Sequence, residues 1–128
     1  RCQHFLGERD EALNALSRYS GAVDDLGYPK LAGRFFVFLG RMQAFHGLRS
    51  ESNASLERAV RASNSCADTV TEGNAYAWLG RDSAHAGHIE AAVGHLEEAV
   101  QLLRRMGPSW DLGEAYFRYG LVFAFTYV

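Results

Sequence analysis

With 128 residues, 48% of them hydrophobic and 22% charged, the chain has the make-up of a folded globular protein, long enough to bury about two thirds of its unfolded surface in one core. A formal net charge of -2 and the absence of any lysine or arginine run exclude a surface that tracks nucleic-acid phosphates, whose affinity depends on neutralising many of them together. No apolar run reaches the roughly 20 residues that a membrane helix needs, the longest being Leu121 to Val128, which contains Thr126.

In chain order, Arg1 to Gly7 reads as the end of one helix, and the start at Arg1, without a methionine or a signal-like segment, predicts a piece of a longer protein. Cys2 and Cys66 are the only cysteines. Without CxxC or Cys/His spacing they indicate neither a disulfide framework nor a zinc site, which fits a reducing, cytoplasmic setting. The next helix ends at Gly27, whose left-handed conformation closes it, and Pro29 opens the following one. Phe36, Leu39 and Gly40 lie in that helix, Gly47 turns the chain, and a further helix carries Leu56 and Ala59. Cys66 occupies the position of Leu26 and Met106 and is expected to be a small core hydrophobe.

The spacing of Ala75, Tyr76, Leu79, Gly80, Ala84 and Ala86 predicts a helix over 71–86, with Thr69 and Glu72 placed to form a capping box at its start. After Gly87, the apolar positions Ile89, Ala92, Val93, Leu96, Ala99, Val100 and Leu103 predict an amphipathic helix over 89–106, closed by Gly107 and Pro108. Ser109 to Val128 reads as a further helix of the first kind without its partner. Leu121, Val122, Phe123 and Phe125 would then form an exposed, sticky patch open to self-association.

These elements recur every 40 residues. Gly7, Gly47 and Gly87 keep that interval, as do Gly33, Gly73 and Gly113, and Gly40, Gly80 and Gly120, while Phe36, Tyr76 and Tyr116 hold one aromatic position. A fixed period of this size is the signature of a solenoid whose units bury their apolar faces against their neighbours. Glycine inside a helix costs about 1 kcal/mol relative to alanine, so Gly40, Gly80 and Gly120 imply a closely packed partner helix. The units fall at about 1–27 (partial), 28–67, 68–107 and 108–128 (partial), within a single repeat region over 1–128.

Phe36 with Leu39-Gly40 and Tyr76 with Leu79-Gly80, followed by Ala92, Leu56, Leu96, Ala59 and Ala99 at alternating small and large positions, resemble a tetratricopeptide repeat array. The period of 40 exceeds the usual 34 of that family. The resemblance implies an all-α fold, a right-handed α-solenoid of antiparallel helix pairs with about three repeats. Long arrays of this kind are similar to sensor regions of bacterial multidomain regulators, including ATP-dependent transcription regulators and nucleotide cyclases.

No nucleophile elbow, phosphate-binding glycine loop or HExxH helix is present, so no catalytic residue and no cofactor is expected. His85, His88 and His95 are spread around a turn and along a helix, unsuited to converge on a metal, and Asp24-Asp25 and Glu97-Glu98 read as solvated charges. The concave face of such arrays is lined by the first helix of each pair. By position, that face presents Arg34, Val37, Arg41 and Phe45, then Asn74, Ala77, Arg81 and His85, then Glu114, Phe117, Leu121 and Phe125. Arg41 and Arg81, one period apart, suit charge-assisted binding of carboxylates. The expected function is a noncatalytic protein-interaction scaffold holding an acidic peptide or partner domain, with Arg41, Arg81 and Asn74 orienting it and Phe45 and Phe117 supplying apolar contact. The alternative is a structural spacer or self-association segment.

Overall fold

A computed structural model of the chain describes residues 11–127, which are helical throughout apart from short turns. A helical stretch over 11–18 leads into α1 (Ser20–Asp25), followed by α2 (Pro29–Phe45), α3 (Arg49–Ser65), α4 (Thr69–His85), α5 (Ile89–Arg104) and α6 (Trp110–Tyr127). Helices α4 and α5 thus begin at or within two residues of the places the periodicity predicts and end one or two residues sooner. No helix among the described residues is long and apolar enough to cross a membrane. The segment Arg1 to Gly7 lies outside the described residues.

Short turns force consecutive helices to run antiparallel, and the contacts follow that geometry. A Cβ on Gly33 would touch Ser63, whereas one on Gly40 would touch Leu56 and the Ser52 carbonyl, so position rises along α2 as it falls along α3. Gly73 against Leu103 and Gly80 against Leu96 repeat the pattern in α4 and α5. The closest pairs are α2 with α3 and α4 with α5, while α2, α4 and α6 also touch in succession, forming one layer with α3 and α5 outside it. Between the layers lie Phe36, Leu39 and Ala59, then Leu56 and Leu79, then Leu96, Leu103 and Ala115.

The turns reveal two departures from the sequence expectations. Asp68, not Thr69, caps α4: its carboxylate accepts the Thr71 backbone N–H at 3.5 Å and the Thr71 hydroxyl at 2.7 Å. Glu72, instead of closing a capping box, is buried and accepts a hydrogen bond from the Asn64 amide at 3.2 Å, tying α3 to α4. Cys66 is exposed and not part of the core: it caps the C-terminus of α3, beyond the turns that pack against α2, and Leu26 and Met106, at the same 40-residue spacing, are each 57% exposed.

Candidate interaction site

Trp78 organises the face where α2, α4 and α6 meet. Its ring is buried, and the Phe45 ring stands edge-on to it with centroids 5.5 Å apart. Three guanidinium groups surround the indole, those of Arg41, Arg81 and Arg118, at 5.0, 5.1 and 4.9 Å from the ring centroid. Arg81 also lies 5.5 Å from the Phe45 centroid. The negative face of an aromatic ring attracts a cation by about 0.5–2 kcal/mol, which draws side chains from three separate helices to one point.

Their charges are only partly balanced. Arg81 has Asp82 at 3.9 Å and Arg118 has Glu114 at 3.5 Å, whereas Arg41 has no carboxylate within 4 Å among the described residues. Because all three guanidinium groups meet one ring, none is separated from another by more than about a Debye length, ~10 Å at 0.1 M salt. Burial is the main force holding the Arg118 pKa below its ordinary value; Glu114 opposes that shift, and the neighbouring charges of Arg81 and Arg41 reinforce it. An arginine stays protonated even so, and what remains is a positive site with capacity for an anion.

Beneath the arginines is a buried polar clasp. The Ser52 hydroxyl on α3 lies 2.6 Å from an Asp82 carboxylate oxygen on α4 and 2.9 Å from the Gly40 carbonyl on α2. Ser52 and Asp82 are both buried, so their satisfaction depends on the three helices keeping this arrangement.

The structure thus unites Arg41, Phe45 and Arg81, and places the other residues of the expected groove differently. Arg34 reaches Asp68 at 3.7 Å, and Glu114 serves as the partner of Arg118. Asn74 is half-buried and is not among the side chains ringing Trp78; Phe117 is 66% exposed on α6. Val37 and Ala77 pack into the core clusters instead of lining a groove, because the neighbouring helices cover their side of α2 and α4. The paired acids are also engaged: Asp24 forms an ion pair with Arg58, and Glu97 accepts the Tyr119 hydroxyl at 3.1 Å. Trp78, Arg118, Ser52 and Asp82 were not anticipated. The signal for two of them was present, since Phe38, Trp78 and Arg118 share one step of the 40-residue period, but helical phase alone does not say that an arginine at that step will lean back onto the preceding indole.

Beside this cluster, a notch of about 610 Å³ opens between α4, α5 and α6. Ala84, Ile89 and Val122 form its apolar wall, backed by the fully buried Leu96, and Arg81, Arg118 and the exposed His85 stand at its rim. Comparison of the chain with protein-family models, curated proteins and solved structures found no match.

Proposed function

We propose that this chain is a noncatalytic docking module, a right-handed α-solenoid of tetratricopeptide type that serves a larger signalling or transcription regulator in the cytoplasm as its sensor or docking segment. Its layer of α2, α4 and α6 holds an acidic segment of a protein partner. The observation that carries this reading is the convergence of Arg41, Arg81 and Arg118 on Trp78, with fewer carboxylates than guanidinium groups beside them. Planar guanidinium groups bind carboxylates through paired, charge-assisted hydrogen bonds, and the aromatic floor restricts their motion before the ligand arrives.

The test is capture of partners from native extract by the wild-type protein and by Arg41→Glu/Arg81→Glu, after circular dichroism has established equal helicity. A partner retained by the wild type, lost by the variant and released as salt is raised is the expected outcome. Equal recovery by both proteins removes the arginine groove from consideration.

A second reading, self-association, is favoured by α6, where Trp110 is 82%, Phe117 66%, Tyr116 48% and Leu121 41% exposed. Of the proposed sticky patch, Leu121 is exposed and Val122 half-buried; the Phe123 and Phe125 side chains lie outside the described residues. Sedimentation of the wild type against Phe117→Ser/Leu121→Ser distinguishes this reading, which requires a concentration-dependent dimer that the variant loses.

A further inference from the structure

The notch between α4, α5 and α6 has a counterpart one period earlier, between α2, α3 and α4. Subtracting 40 from its lining positions converts Ala84, His85 and Ile89 to Ala44, Phe45 and Arg49, and Arg118, Leu121 and Val122 to Trp78, Arg81 and Asp82. In that earlier position the space is largely filled: the Trp78 indole meets the Phe45 ring, Arg81 covers both, and a cavity of about 60 Å³ remains. In the later position neither aromatic residue is present. His85 replaces Phe45 and is exposed, while Arg118 replaces Trp78 and leans toward the preceding repeat to meet that same indole. The volume grows to about 610 Å³, within the range of small-ligand pockets.

We infer that this notch binds a small aromatic carboxylate, its ring seated where the preceding notch holds its own aromatic pair and its anionic group turned to Arg81 and Arg118. The apolar wall of Ala84, Ile89 and Val122, backed by the fully buried Leu96, matches a ring face, and the rim supplies two guanidinium groups. Each of these guanidinium groups has one carboxylate beside it, Asp82 at 3.9 Å and Glu114 at 3.5 Å, and carries five N–H donors, more than that one contact uses, which an anionic group can engage; an anion without a ring would leave the wall bare. The site shares Arg81 and Arg118 with the proposed peptide surface but does not depend on that reading, because Arg41 does not line the notch.

The test uses 2-naphthoate as the probe, followed through the methyl NMR signals of Ile89, Leu96 and Val122, with 2-naphthalenemethanol and cyclohexanecarboxylate as comparisons. The expected result is saturable shifts at those three residues, with Arg118→Gln weakening binding about tenfold, as loss of one charge-assisted contact implies. Ala84→Trp, which refills the notch, abolishes the shifts at unchanged helicity, while Arg41→Glu leaves naphthoate binding in place even if it removes peptide docking. Should Ala84→Trp lower the helicity, Arg118→Gln carries the comparison. Non-saturating or scattered shifts, or equal binding of the alcohol, overturn the inference. So does seating of an aromatic, acidic peptide in the notch by a protein that leaves naphthoate unbound.

Discussion

Gly80 and Gly120 occupy the same step of the 40-residue period yet meet different surroundings. A Cβ on Gly80 would lie 2.6 Å from Leu96 Cγ and 3.3 Å from the Ala92 carbonyl, whereas one on Gly120 would meet nothing within 4 Å among the described residues. Overpacking costs about 1–3 kcal/mol and alanine returns about 1 kcal/mol of helix propensity. Gly80→Ala is therefore expected to lower stability in urea by about 1 kcal/mol, and Gly120→Ala to leave it unchanged or raise it by up to that amount. At the same scale, His95 stacks on Tyr76 with centroids 6.0 Å apart, and burial lowers its pKa from the ordinary 6.5, against the opposing pull of Glu57. The unfolded chain accepts a proton that the folded one resists, so stability is highest above the unfolded pKa, falls as pH drops toward the folded pKa, and levels off below it. Melting curves of His95→Gln should lose less between about pH 7 and pH 5 than those of the wild type.

Among the elements, the turns leading into α2, α4 and α6 differ at a position that recurs 40 residues apart in the sequence. Gly27 and Gly107 adopt φ of +71° and +85°, and in the same register Ala67 is held at +56°. A side chain in that region costs roughly 1–2 kcal/mol, and glycine gives back part of the gain through the greater freedom of its unfolded chain. Ala67→Gly should raise the urea midpoint by an amount equivalent to about 0.5–1 kcal/mol, with the slope of the transition unchanged. The neighbouring Asp68 explains how the strain is tolerated: it caps α4 and receives Arg34, so this turn is fixed from both sides. Much of this was legible beforehand. Pro29 does open α2, and Gly47 and Gly87 do turn the chain with positive φ. The choice of Asp68 over Thr69 was not, because both are good caps and a shift of one residue depends on how α3 delivers the chain.

For the whole molecule, the distribution of charge matters more than its sum. A net charge of -2 gives no hint of a basic site, yet three helices bring three arginines to one indole. Such a surface attracts anions by a local field, and rising ionic strength weakens it. The proposed docking at the arginines and the alternative self-association through α6 make separable demands on the molecule. The Arg41→Glu/Arg81→Glu change is expected to alter partner capture and leave sedimentation as it was, while the Phe117→Ser/Leu121→Ser change does the reverse.

Helix positions, turn glycines and the close contacts at Gly40 and Gly80 follow from the sequence by itself, because they depend on interactions over a few residues and on a pattern stated more than once. Arg41 and Arg81 could be paired for the same reason, being one period apart. Only the tertiary structure decided that Arg118 reaches back to Trp78, that Ser52 and Asp82 join three helices, and that among the described residues one notch is filled while the next is open. Those outcomes depend on which rotamer a side chain takes among groups 12 to 77 positions away along the chain, and periodicity fixes the direction of a Cβ but not where the end of an arginine comes to rest.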